Sequence, residues 1–378
     1  MSWNYVTLDK LGSVSRGKSK HRPRNDKSLF GGKYPFIQTA DVKAAGLYLT
    51  EYTETYSDKG LAQSKLWPAG TLCITIAANI ADTTILGIDA CFPDSVMGFV
   101  PYEGVSNVKF VKYAFDILQR DCKKISQGTA QDNLSWKKLS TIKFPAPDIE
   151  VQDRIVNILS VYDDLIENNQ KQIKLLEEAA QRLYREWFVE LRFPGYEGTE
   201  IVDGIPKGWN KMNLPDIAPI VTGKKDANFG TEDGKYLFFT CSQEPIKAPS
   251  YSFDCDAVIL AGNGDFNVKL YRGQFEAYQR TYVFSPYDSI NLFMLYYAVK
   301  DSMRQLFQGA SGSTIKFLTK RMLEEIEVFA PDEFTLCRFN NSCEAYQKKI
   351  EVLKRQIVDA QEARDRLLPK LMSGEIEV

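Results

Sequence analysis

The 378-residue chain has a single histidine, no C-x-x-C pair, no adjacent prolines and no apolar run of about 18 residues, and each shortage excludes a class of function. With one imidazole, the common zinc sets, Ser-His-Asp and Cys-His triads and imidazole acid–base chemistry all fall away. His21 lies among Lys20, Arg22 and Arg24, which predicts a solvated place in a basic loop. The seven cysteines, Cys73, Cys91, Cys122, Cys241, Cys255, Cys337 and Cys343, are odd in number and scattered, the pattern of reduced thiols used as small core residues. No metal site is expected. The start, MSWNYVTLDK, has no basic-then-apolar leader pattern, so a soluble, cytoplasmic protein without membrane contact is expected.

Charge is present in both signs and nearly cancels, to −2, which by itself argues against a generic nucleic-acid binder. Its distribution is uneven: residues 1–148 carry a net +5, residues 149–200 a net −5 and residues 201–332 a net −2. Arg16, Lys18, Lys20, Arg22, Arg24 and Lys27 crowd one short stretch. Within it, LGSVSRGKSK (11–20) has the G-x-x-x-x-G-K-S spacing of a phosphate loop. Such a loop needs a buried strand before it and a helix directly after it. Pro23, Asn25, Asp26 and the Gly31-Gly32 pair predict a loop instead, leaving an NTPase as the enzyme alternative.

The chain is written twice. LSTIKFPAPD (139–148) matches LEEIEVFAPD (323–332) at an offset of 184 residues, and the same offset aligns Tyr162 with Tyr346, Ile166 with Ile350 and Arg182-Leu183 with Arg366-Leu367. FVPY (99–102) answers FSPY (284–287), and QGTA (127–130) answers QGAS (308–311). Nearer the start, Trp3 answers Trp209 and Gly17-Lys18 answers Gly223-Lys224, with about 20 more residues in the first copy. Gly12 and Ser19 of the phosphate-loop spacing become Ala218 and Lys225, so only the Gly-Lys turn recurs.

Each copy opens with short β-rich runs, many Gly and Pro turns and one helical stretch, which reads as a mixed α/β globule. AGNGDF (261–266) reads as a tight turn, because Gly262-x-Gly264 has no β-α-β context. A long helix follows in each copy, opened by Pro147-Asp148 or Pro331-Asp332. Ile155, Leu159, Tyr162, Ile166, Asn169, Ile173, Leu176, Ala180, Leu183 and Trp187 alternate steps of four and three. Phe339, Cys343, Tyr346, Ile350, Leu353, Ile357, Ala360, Arg364, Leu367 and Leu371 repeat the rhythm, so the two helices are expected to pair along a coiled-coil seam. Asn169 faces the seam either to fix register or as a locally satisfied position. Trp187 and Phe188 either form a partner-docking patch or cap the coil.

The expected domains are a first globule at 1–148, a first helix at 149–190, a connector at 191–206, a second globule at 207–332, and a second helix and tail at 333–378. Two similar globules on a rigid rod suit a ligand with a fixed repeat, such as duplex DNA at about 34 Å per turn. In QGTAQDNLSWKKLSTIKFPAPDIEVQDRIVNIL, RLYREWFVELRFPGYE, GIPKGW and RDRLLPKLMSGEIEV, taken in this order and repeated, the chain resembles the specificity (S) subunit of type I restriction-modification systems over essentially its whole length. The resemblance implies two target-recognition domains, a pseudo-twofold repeat and two helices packed as an antiparallel coiled coil. It also implies a bipartite, asymmetric site on double-stranded DNA and recruitment of two adenine-N6 methyltransferase (M) subunits, with restriction (R) subunits joining. S-adenosylmethionine would belong to the M subunits, ATP and magnesium to the R subunits, and none to this chain. The family's E-E-Q after the proline is Glu150-Val151-Gln152 here, and DEFTLCRF in the second copy lacks it.

The residues agree that this chain is not itself the enzyme, since an adenine methyltransferase needs an N-P-P-[YF]-type motif. Arg and Lys suit phosphates and guanine, while Asn and Gln suit adenine. The DNA-contact candidates of the first globule are therefore Arg16, Lys18, Lys20, Arg22, Gln38, Gln127, Thr129, Gln131 and Asn133. Those of the second are Lys224, Lys225, Asn263, Lys269, Arg272, Gln308, Ser311, Ser313 and Lys316. A scaffold that never meets DNA is the remaining alternative.

Overall fold

The computed structural model describes residues 3–76, 81–125, 136–264, 266–309 and 316–378. Contacts divide the chain into two compact units, Met1–Asn169 with Arg355–Val378, and Gln170–Lys354. The division runs through both long helices, Ile149–Tyr184 and Glu333–Met372, so each unit owns a globule and one segment of each helix.

Repetition in sequence becomes repetition in topology. In the first unit, strands Gly12–Arg16, Val96–Pro101, Leu72–Thr75, Thr83–Leu86 and Tyr48–Leu49 lie in that order, antiparallel except for the last, which runs parallel to its neighbour. In the second, Ile220–Thr222, Thr281–Phe284, Phe253–Ala261, Val268–Ala277 and Tyr236–Phe239 follow the same order and the same senses, with Ile246–Ala248 added at the edge. The packed helices Val108–Ile125 and Leu292–Gly309 are offset by 184 residues at both ends (108 to 292, 125 to 309). Among the described residues the first unit alone carries a second sheet of four strands, ordered Glu54–Tyr56, Phe30–Phe36, Ala90–Cys91 and Leu66–Trp67. Its longer insertion is spent there.

The helix starts show how one signal is met in two ways. Gln152 is fully buried; its Nε2 donates to the carbonyls of Pro147 (2.8 Å) and Val105 (3.0 Å), and its Oε1 accepts from the Asn107 N–H (3.0 Å). It thus satisfies three backbone groups where the globule meets the helix. In the second copy Leu336 stands at that place in the repeat and packs in the core, while Asp332 caps the helix by accepting from the Thr335 N–H (2.9 Å) and hydroxyl (2.8 Å).

Within the first unit the helix segments run antiparallel. Arg364 donates to Asp163 (2.7 Å), and Asn169 donates to Gln356 (3.3 Å). Ile155, Leu159, Ile166 and Asn169 are buried and Tyr162, Ile357 and Leu367 half-buried. Asn169 is therefore a satisfied seam residue. Asp163, 6% exposed, also accepts from the Tyr113 hydroxyl (2.5 Å), and burial followed by that facing carboxylate pushes the Tyr113 phenol up. In the second unit Ala180, Phe339, Cys343, Ile350 and Leu353 are buried, and Ile173, Leu176, Leu183 and Tyr346 half-buried. Late in each helix the buried face drifts by one residue, from Leu183 to Tyr184 and from Leu367 to Leu368.

Trp187 and Phe188 do not form an exposed docking patch. The first helix passes at Arg185–Val189 into a π-helical turn, which rotates both rings into the core of the second unit. Phe188 meets Phe339 edge-on at 4.8 Å between centroids and Trp209 at 5.8 Å, and Trp209 packs on Phe193 at 4.7 Å. At the corresponding place in the first unit Leu371 and Met372 are buried, with Trp3, Ile376 and Val378 packed on the same core. Phe188→Ala should therefore cost about 3–5 kcal/mol of stability, measured by urea unfolding of the isolated chain; an unchanged midpoint with selective loss of a partner would restore the docking assignment.

Candidate nucleic-acid interface

The Gly-Lys turn is built the same way in both units. Gly17 leaves strand Gly12–Arg16 with its N–H donating to the Val96 carbonyl (2.9 Å), and a Cβ there would lie 2.3 Å from the Phe92 carbonyl oxygen. Gly223 donates to the Thr281 carbonyl (3.1 Å), and a Cβ there would lie 2.1 Å from the Ala277 oxygen. Each glycine is required because the turn presses against a crossing backbone. Each leaves an exposed lysine, Lys18 or Lys224, beside it. Residues 12–16 are extended strand, and the next helical turn is the short Lys27–Leu29. The phosphate-loop spacing thus falls on a strand followed by an irregular basic loop, with no helix directly after it, and the NTPase alternative is set aside.

In the first unit the basic loop is held by its own polar groups. The His21 N–H donates to Gln63 (3.0 Å), and the Arg22 guanidinium donates to the carbonyls of Ser19 (2.7 Å) and His21 (2.8 Å). Arg24 grips Asp94 through both carboxylate oxygens at 2.9 Å. Asp26 accepts from the Ser28 hydroxyl (2.7 Å) and N–H (2.9 Å), which hold its carboxyl at about 2, and it pairs with His21. Arg22 and Arg24 are consequently braces of the loop. Arg16, Lys18, Lys20 and Lys27 are exposed and make no side-chain hydrogen bond or ion pair among the described residues. Lys65 adds charge over Trp67, its nitrogen 3.4 Å from the ring centroid; burial, then the Lys18 charge, hold its ammonium below the ordinary value. Gln38 joins this surface in a pocket of about 660 Å³ whose lining includes Arg24, Asn25, Lys27 and Glu54. Gln127, Thr129, Gln131 and Asn133 lie outside the described residues.

The second unit gathers a different set. A pocket of about 290 Å³ is lined by Thr222, Gly262, Gln279, Arg280, Tyr282 and Phe317, next to Lys224. Asn263 bridges Phe317, Gly264 adopts the positive φ of +70° of a tight turn, and the Lys316 ammonium caps the Phe307 ring at 4.0 Å and donates to its carbonyl. Lys225 lies over Phe229, and Gln308 is exposed. Lys269 and Arg272 are placed elsewhere. The Lys269 ammonium donates to the Ser242 carbonyl (2.8 Å) and to Asn267, in a groove with Gln347 and Lys354. Arg272 reaches Glu344 (3.2 Å) and Asp256 (3.5 Å) over Phe293, bracing the sheet against the second long helix. Ser311 and Ser313 lie outside the described residues. The sequence reading missed Gln279 and Arg280, exposed at the turn between two strands; that turn's polar dipeptide amid β-rich runs was the available signal.

Among the described residues no cluster of histidine, cysteine or carboxylate suits a metal, and no helix is long and apolar enough to cross a membrane. What the two units share is a fold, a Gly-Lys turn and a helix pair; what differs is the polar rim. That defines a duplicated recognition subunit. The chain belongs to the type I restriction modification DNA specificity domain family, whose model matches residues 2–178 and 206–350. The members of this family are the non-catalytic specificity component. The chain is similar to the MjaIX specificity subunit of Methanocaldococcus jannaschii, at 23% identity across all of this chain and 94% of that one. It is 35% identical to the EcoDI specificity subunit of Escherichia coli over 170 residues, 44% of this chain and 36% of that one. A crystal structure of a type I restriction-modification system S subunit from M. genitalium shares the fold, with a TM-score of 0.54, 17% identity and coverage of 98% and 96% of the two chains.

A lysine that meets a phosphate adds affinity without sequence preference. Lys18→Ala should weaken DNA binding about equally for all sequences and lower the slope of log K against log salt by about 1, read by titration at several salt concentrations; an unchanged slope would remove Lys18 from the interface.

Proposed function

We propose that the chain reads a bipartite, asymmetric site on double-stranded DNA, one half with each unit, and scaffolds two adenine-N6 methyltransferase subunits, with restriction subunits joining the complex. The observation that carries this reading is the pair of globules with the same strand order and unlike polar rims around an equivalent Gly-Lys turn. Identical rims would suit a palindromic site; unlike rims suit two different half-sites. The lysines supply the salt-dependent attraction to phosphates, and the neighbouring amides and arginines supply hydrogen bonds to base edges. In this scheme S-adenosylmethionine is held by the M subunits, and ATP and magnesium by the R subunits.

An exposed apolar stripe supports the scaffolding role. Ile158, Val161 and Leu165 follow a helical spacing on the first long helix and remain exposed although Ile155, Leu159 and Ile166 beside them are buried. Such a stripe fits the apolar face of a partner helix. Val161→Glu should reduce recovery of M subunits co-expressed with the chain at least severalfold without moving the chain's own melting temperature; undiminished recovery would move the docking surface elsewhere.

The recognition role is tested by exchange. Replacing the globule at residues 1–148 by that of another family member, in complex with M subunits, should change one half of the methylated motif and leave the other and the unread spacer class intact. A change in both halves, or in neither, would contradict one reader per unit.

A further inference from the structure

Glu54 is a carboxylate in the wrong place for a surface that only attracts phosphates. It is exposed, on strand Glu54–Tyr56, and lines the pocket of about 660 Å³ together with Arg24, Asn25 and Lys27. No cation pairs with it among the described residues; its one side-chain partner is Gln38, whose Nε2 donates to it at 2.7 Å. Gln38 is itself fixed, because its backbone N–H donates to Asp41 (2.7 Å) in a capping box that opens helix Thr39–Ala44. The floor beneath is aromatic, with the Phe36 and Tyr56 rings stacked at 3.9 Å between centroids. Phe36 and Glu54 are paired directly across the two strands.

We propose that Glu54, positioned by Gln38, is a base-reading residue of the first unit that accepts a hydrogen bond from the exocyclic amine of cytosine in the major groove. The inference rests on the two-reader function above. A carboxylate facing DNA pays repulsion from the phosphates, and it gains where it meets a base-edge donor. The cytosine N4 amine is such a donor, and a thymine at the same position would present its O4 acceptor and leave the carboxylate opposed. Lys27, exposed on the same pocket wall, carries the complementary donor for the O6 and N7 acceptors of the paired guanine. The pocket also lies on the second sheet, the part of the first unit for which the described second unit has no counterpart, where a difference between readers belongs.

The test co-expresses the full chain with its M subunits and maps methylated adenines genome-wide for the unaltered chain, Glu54→Gln and Glu54→Ala, with melting temperatures measured in parallel. The unaltered chain should methylate a motif whose first half contains a C·G pair. Both variants should relax discrimination at that one pair by about 5–150-fold, the equivalent of about 1–3 kcal/mol, with the second half unchanged as an internal control of folding. An unchanged first half in both variants, a first half without a C·G pair, or loss of methylation everywhere at an unchanged melting temperature would overturn the assignment of Glu54. No sequence-dependent methylation by the unaltered chain would instead overturn the two-reader function on which it rests.

Discussion

The first unit depends on the pairing of two helix segments that are 187 to 201 residues apart along the chain, where Asn169 meets Gln356 and Asp163 meets Arg364. Neither segment can bury its apolar seam alone, and each isolated helix of this kind is marginal in water without such packing. The globule is fastened onto that pair, through Tyr113 on Asp163 and through Gln152 on three backbone groups. Removing Arg364 is costly, since it would leave the buried Asp163 carboxylate without its compensating charge. The pair therefore specifies which faces meet, while Ile155, Leu159, Leu368 and Leu371 are buried in the same apolar core.

On that support the same globule is used twice, and the division between what repeats and what varies is a division of labour. The parts that repeat are backbone-determined: five strands in one order, an 18-residue helix against them, and a glycine with no room for a side chain. The parts that vary are side chains on loops and, in the first unit, an additional four-stranded sheet. Rigid elements hold the rims, and under the proposed function unlike rims serve two unlike half-sites. The Gly-Lys turn belongs to both categories, its glycine fixed by the crossing strand and its lysine available to any phosphate.

Much of this was legible in the sequence because repetition and period are long-range signals. The F-x-P-Y signal announced one packed helix in each copy, the 184-residue offset aligned the two long helices, and the four-three rhythm found residues that all prove buried or half-buried. The one-residue drift to Tyr184 and Leu368 was not legible, because an α-helix slips gradually from a 3.5 repeat. Trp187 and Phe188 were ambiguous because their burial depends on a π-helical turn and on Trp209, about twenty residues on. The basic loop was plain, yet charge alone did not separate Arg22 and Arg24, used as braces, from Lys18 and Lys20. Arg272 looked like a DNA contact until Glu344, far along the chain, was seen to occupy it. Such partners are set by tertiary contact, which local composition does not encode.

The central claim is that two separate readers on one chain engage one DNA molecule. Hydroxyl-radical footprinting of the chain with its M subunits on a methylated target site tests it most directly. Two protected patches flanking an unprotected spacer, with protection at one patch lost selectively when bases of that half-site are changed, is the predicted result. A single patch, or protection indifferent to sequence, would contradict the account.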